Sequence, residues 1–141
     1  MAEVPSYLLD THIWFWMVRG REGRLAPHTA AKLERAALNA PLGVSVISIW
    51  EIALLASKGR IGLGMPVHEW AAAALDRPGF ALTALEPEIA IESCALPGEF
   101  HADPADRFLV ATGRLKNALI VTRDKRILKY GKQGHVRVMA A

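Results

Sequence analysis

Four acidic side chains are spaced along this chain where carboxylates could do chemistry: Asp10, Glu51, Asp106 and Asp124. Asp10 closes the apolar run Tyr7-Leu8-Leu9, and Asp124 follows the run Leu119-Ile120-Val121. Glu51 stands three residues after Ser48, and Asp106 lies in the first turn of a helix opened by Asp103-Pro104. Each has a structural explanation of its own. Asp10 and Asp124 can cap the helices that follow them, Glu51 can complete a capping box with Ser48, and Asp106 can complement a helix dipole. Several ionised carboxylates gathered in one pocket repel one another, so some take up protons or a cation settles among them. Oxygen donors with no cysteine and no histidine cluster select Mg²⁺ or Mn²⁺ over zinc. Such an ion acidifies a bound water and offsets charge on a phosphate, so the reaction class is metal-assisted phosphodiester hydrolysis.

Gathering four residues so far apart in sequence requires a fold that returns strand ends to one edge. Buried strands are expected at Tyr7–Leu9, 44–47 and 118–122, further strands at 80–85 and 136–139, with alternation in the former. Helices are expected from Ile13, from Pro27 to about Asn39, from Ser48 to Lys58, and from Pro66 to Leu75. Others should start at Pro87, at Asp103-Pro104 and at Asp124, where caps and proline favour a first turn. Strands and helices thus alternate, and the clearest strands are continuous apolar runs. That is the pattern of a parallel sheet covered on both faces: the fold class is α/β. In such sheets ligands bind at the carboxyl ends of the strands, where Asp10, Glu51 and Asp124 should lie. The position of Asp106 depends on the connection before its helix.

At 141 residues, 52% apolar and 22% charged, the chain suits one domain spanning 1–141 and excludes disordered, collagenous and disulfide-scaffold classes. The single cysteine, Cys94, cannot form an internal disulfide and is expected to be a small buried apolar residue in a cytoplasmic protein. No secretory leader is evident, and no apolar stretch approaches the roughly 20 residues a membrane helix needs. The net charge of +3 hides an asymmetry: residues 84–106 hold Glu86, Glu88, Glu92, Glu99, Asp103 and Asp106 without a base, whereas residues 107–137 hold nine bases and one acid. A basic third beside an acidic cluster fits an enzyme acting on a polyanion, and equally a solvated basic face.

The segments Leu8-Leu9-Asp10-Thr11-His12, Ser45 to Ile52, Lys58-Gly59-Arg60-Ile61, Asp103-Pro104-Ala105-Asp106-Arg107 to Ala111 and Val121-Thr122-Arg123-Asp124 together resemble the PIN-domain ribonucleases, in particular VapC toxins of type II toxin–antitoxin modules. Nearly the whole chain takes part, in order; the tail from Gly131 carries no distinctive signature. The resemblance implies an α/β/α sandwich with a mostly parallel sheet and a Mg²⁺- or Mn²⁺-dependent endoribonuclease. It implies that Asp10, Asp106 and Asp124 hold the metal, with Glu51 positioning a second ion or the attacking water. Asp103 would be a cap, lie beside the ligands or occasionally ligate the metal itself, while Thr11 and Ser48 could orient carboxylates or water. Arg107, Arg123, Lys125 and Arg126 are candidates for gripping the RNA backbone. The resemblance also implies a homodimer and a VapB-like antitoxin lying over the groove, often offering an arginine to the acids. Of the four tryptophans, Trp50 is expected in the core.

Other chemistries fit less well. Histidine acid–base cleavage would need two of His12, His28, His68, His101 and His135 to meet, and their spacing brings no two together. His101 and His135 carry no recognisable role. An aspartyl-nucleophile phosphatase wants an aspartate at position 12, where His12 stands, and the glycines at 59, 62 and 64 follow a helix in the wrong spacing for a dinucleotide. The non-enzyme alternative is a PIN-fold module that binds RNA or a partner with weak or no catalysis.

Overall fold

The computed structural model describes residues 6–20 and 23–141; the expectation of no leader falls partly on residues 1–5, outside them. Along the chain run β1 (Tyr7–Leu9), α1 (Thr11–Arg19), α2 (Pro27–Ala37), β2 (Leu42–Ser45), α3 (Val46–Ser57), α4 (Val67–Asp76), β3 (Phe80–Thr83), α5 (Pro87–Cys94), α6 (Pro104–Lys116), β4 (Leu119–Thr122), α7 (Lys125–Lys132) and β5 (Arg137–Ala140). The strands form one sheet in the order β3-β2-β1-β4-β5, every pair parallel. The α/β expectation holds.

Three residues suffice for β1 because it lies at the sheet's centre, Leu8 and Leu9 each pairing on both sides. Their side chains point to opposite faces. Leu9 joins Ile13, Trp14, Leu33, Val44, Ile52 and Trp70 in one apolar cluster; Leu8 joins Ile89, Leu109, Val110, Ile120, Ile127 and Tyr130 in the other. Two buried faces explain why the central strands read as unbroken apolar runs. Trp14 and Trp70 meet nearly edge to face, centroids 5.2 Å apart, at the centre of the first cluster.

The carboxyl ends of the strands are where expectation and structure part in detail. β2 ends at Ser45, not Ile47, and α3 begins one residue later, with the Ser45 hydroxyl accepting from the Ile47 N–H at 3.1 Å. Ser48 is therefore a buried residue inside the helix, and there is no capping box with Glu51. Ser48 and Ile52, four residues apart, share the inner face of α3, so Trp50 between them points outward and is 48% exposed. It is not core. The same periodicity on α5 buries Ile89 and Ser93 and leaves Cys94 exposed, contrary to the expectation for it. On α6 Val110 is buried, whereas Leu115 lies on the outer face at 47% exposure. β3 is a four-residue edge strand without alternation.

The tail beyond Gly131 completes the sheet as β5. It docks against α7 closely enough that a Cβ on Gly131 would stand 2.3 Å from a Val138 methyl. Among the described residues, no helix is long and apolar enough to cross a membrane.

Candidate functional site

Asp10, Asp106 and Asp124 each occupy a helix start, where free N–H groups and the helix dipole favour a carboxylate. Asp10 caps α1: one oxygen accepts from the Thr11 N–H at 2.7 Å and the other from the Thr122 hydroxyl at 2.6 Å. The same Thr122 hydroxyl accepts from the Asp124 N–H at 2.9 Å, so one side chain at the end of β4 locks two of the acids together. Asp124 caps α7, accepting from the N–H groups of Arg126 and Ile127 at 2.8 and 3.1 Å. Asp103 caps α6 through the Ala105 N–H at 3.0 Å, as expected, and Asp106 sits one turn further in.

Burial, and then mutual repulsion, sets the charge state of these groups. Burial, then the charges of Asp10, Asp103, Asp124 and Glu51, push the Asp106 carboxyl up to about 7. Burial raises Asp10 as well, although the Thr122 and Thr11 bonds oppose it. Glu51 is raised by burial and by Asp10. For Asp124, burial pulls upward but is outweighed by the Ile127 and Arg126 N–H groups and the Arg126 guanidinium, which hold it below the usual range.

Among the described residues, the tightest set of potential ligand atoms belongs to Asp106, Asp124 and His101, all within 4.8 Å of one another. The carboxylates of Asp10 and Glu51 stand outside that set but close enough to act on Asp106 electrostatically. Thr11 donates to Ser48 at 2.8 Å, both buried, which ties the start of α1 to α3 directly behind Asp10 and Glu51.

His101 is the residue that sequence reasoning missed. Its Nε2 lies 3.0 Å from Asp106 Oδ2, while its ring packs on Phe100 with centroids 4.4 Å apart. Burial, and then the Arg126 charge, hold its pKa below the usual value.

The four basic candidates divide. Arg107 does not face outward: its Nε donates to the Ser93 carbonyl at 2.7 Å and its Nη1 to the carbonyls of Phe100 and His101 at 2.9 and 3.1 Å. A guanidinium enclosed by carbonyls braces the loop that carries His101 and is not free for a phosphate. Arg123 lies over the Trp16 ring at 5.0 Å and donates to the carbonyls of Arg24 and Ala141. Lys125 is exposed at the start of α7, with no hydrogen bond or ion pair among the described residues. Arg126 reaches back over the acids, 3.4 Å from Asp124 and 3.7 Å from Asp106.

The profile of the PIN domain matches residues 7–133. The chain belongs to the PIN-domain family. Ribonuclease VapC22 of Mycobacterium tuberculosis is 33% identical to this PIN-domain protein over 124 residues, which is 88% of this chain and 91% of that one. The fold also matches a chain in the crystal structure of VapBC2 from Rickettsia felis bound to a promoter DNA fragment, with a TM-score of 0.71 at 16% identity, covering 96% of this chain and 98% of the other. A chain in FitAcB of Neisseria gonorrhoeae matches with a TM-score of 0.63 at 16% identity, covering 94% and 96%. In this PIN domain the acids lie at the carboxyl edge of the sheet, whereas a cavity of about 750 Å³ lined by Arg114, Asn117 and Lys132 opens at the opposite edge and takes no part in the site.

Proposed function

We propose that this single-domain PIN protein is the toxin of a type II toxin–antitoxin pair, a cytoplasmic endoribonuclease that requires Mg²⁺ or Mn²⁺. The observation that carries the reading is the convergence of four carboxylates at one sheet edge, where burial first and the neighbouring acids second push Asp106 up to about 7. A chain gains nothing in stability from such an arrangement unless something positive is meant to enter it.

The donor set fits a divalent cation. Asp106 and Asp124 supply oxygens beside a buried His101 Nε2 without a hydrogen-bond partner, and Asp10, whose charge acts on Asp106, would complete the ligands. When bound, the ion would acidify a water and offset charge building on the phosphate. The chain's own residues do the rest. Thr122 and the Thr11 N–H hold both Asp10 oxygens, fixing that carboxylate's direction. Thr11 and Ser48 brace the helix from which Glu51 orients the attacking water. Asp103 shapes the start of α6 and adds to the negative field at Asp106. Lys125 and Arg126, exposed at the start of α7, take the flanking RNA phosphates. Water then attacks phosphorus and leaves a 5′-phosphate and a 3′-hydroxyl.

Arg126 already pairs with Asp106 and Asp124 from within the chain, which supports neutralisation by an antitoxin arginine entering the same acids. Trp50, half exposed immediately before Glu51, offers apolar surface for that VapB-like segment. The active unit is taken to be a homodimer.

The test is cleavage of total RNA by the purified protein with Mg²⁺, with Mn²⁺ and with EDTA, beside Asp10→Ala and Asp106→Ala. Metal-dependent cuts bearing 5′-phosphates that vanish in both variants support the reading. Cleavage that survives EDTA and both substitutions refutes it, and folded protein that binds RNA without cutting returns the chain to a binding module.

A further inference from the structure

We propose that His101 is a nitrogen ligand of the site and gives it a preference for Mn²⁺ over Mg²⁺; the inference rests on the metal-dependent reading above. Three observations carry it. His101 Nε2 belongs with Asp106 and Asp124 to the one set of donor atoms within 4.8 Å found among the described residues. Its distance from Asp106 Oδ2 is 3.0 Å, and two adjacent ligands on a six-coordinate ion with bonds of about 2.1 Å stand about 3 Å apart. Finally, that nitrogen is buried yet makes no hydrogen bond, because its N–H direction misses the nearby carboxylate. A ring placed to serve Asp106 as a hydrogen-bond donor would point its N–H at it; this nitrogen does not, and is left for another partner.

The ring is also held ready. Phe100 packs against it and Arg107 grips the His101 carbonyl at 3.1 Å. Nδ1 accepts from the Asp103 N–H at 3.3 Å; ligation through Nε2 moves the ring proton to Nδ1 and gives up this long bond. Mg²⁺ sheds water reluctantly and favours oxygen donors, whereas a mixed set of imidazole and carboxylate suits later, softer divalent ions.

The experiment titrates metal-free protein with Mn²⁺ and separately with Mg²⁺ by calorimetry, and records pulsed EPR of the Mn²⁺ complex for imidazole ¹⁴N coupling. Wild type should bind Mn²⁺ the more tightly and show the coupling. In His101→Gln the coupling should vanish and Mn²⁺ affinity fall by about tenfold or more, the usual cost of losing part of a metal's ligand environment, while Mg²⁺ affinity changes little. His12→Gln, altering the imidazole beside Asp10, should keep both. Mn²⁺ bound without imidazole coupling, or a Mn²⁺ to Mg²⁺ preference unchanged in His101→Gln, overturns the role of His101 and leaves the carboxylate site standing. Failure of wild type to bind either ion overturns both readings.

Discussion

Replacing Asp106 by Asn should make the metal-free protein more stable at neutral and alkaline pH. Burial and four neighbouring acids raise the Asp106 carboxyl from 3.8 to about 7. In that interval the folded chain keeps a proton that the unfolded chain has released, so stability falls as pH rises through it. The shift spans about three pH units at about 1.4 kcal/mol each, so Asp106 costs about 4 kcal/mol above pH 7 and almost nothing at pH 4. The amide keeps the shape and cannot ionise. In EDTA the variant should match wild type near pH 4 and exceed it at pH 8, by as much as about 10 °C in melting temperature for a domain of this size. Urea or thermal unfolding at pH 4, 6 and 8 measures this. Saturating Mn²⁺ should reverse the order, since the ion stabilises only the folded carboxylate site. A difference between the two proteins that is the same at pH 4 and pH 8 would falsify the account of converging charge.

Removing the Arg126 guanidinium from Asp106 and Asp124 frees the acids for a cation: Arg126→Ala should tighten metal binding severalfold in calorimetry while weakening RNA affinity and its salt dependence by about one phosphate contact. Unchanged metal affinity would show that the pair does not compete. Arg107→Ala leaves the carbonyls of Ser93, Phe100 and His101 without their donor and should cost about 2–4 kcal/mol in urea unfolding; a loss below 1 kcal/mol would return Arg107 to the surface. In Gly131→Ala the new methyl meets Val138 at 2.3 Å, and overpacking should cost about 1–3 kcal/mol, visible as faster hydrogen exchange in β5.

The acids and their helices were legible because the signals are local. Asp103 beside Pro104, and Asp10 and Asp124 each directly after an apolar run, mark helix starts without help from distant residues. Ser48 misled for a physical reason: two serines flank Val46-Ile47, and only pairing of Ser45 with Thr83 in the sheet decides that the strand persists to Ser45. Basic residues read from sequence as charge, yet Arg107 and Arg123 are held by carbonyls that the fold brings from 6 to 99 positions away. Sequence shows the donor and not its acceptors. A lone histidine in a loop carries no periodicity, so His101 gained its place only through the Arg107 brace. Thr122, within a segment that resembles the family, acquires its role from Asp10, 112 residues earlier.

That long-range bond has a consequence for the order in which a ribosome makes the protein. The sheet's centre, β1, is synthesised first but pairs with β4, which comes last but one. A nascent chain that has released the segments from β1 to α3 owns Asp10 and Glu51, yet lacks Asp106, Asp124 and the Thr122 hydroxyl that fixes Asp10. All four carboxylates are present only once synthesis has reached Asp124, and the pocket closes only when the segments carrying Asp10 and Thr122 meet. A nuclease built this way cannot assemble its site until the ribosome has passed residue 124 and that segment has emerged to meet Asp10.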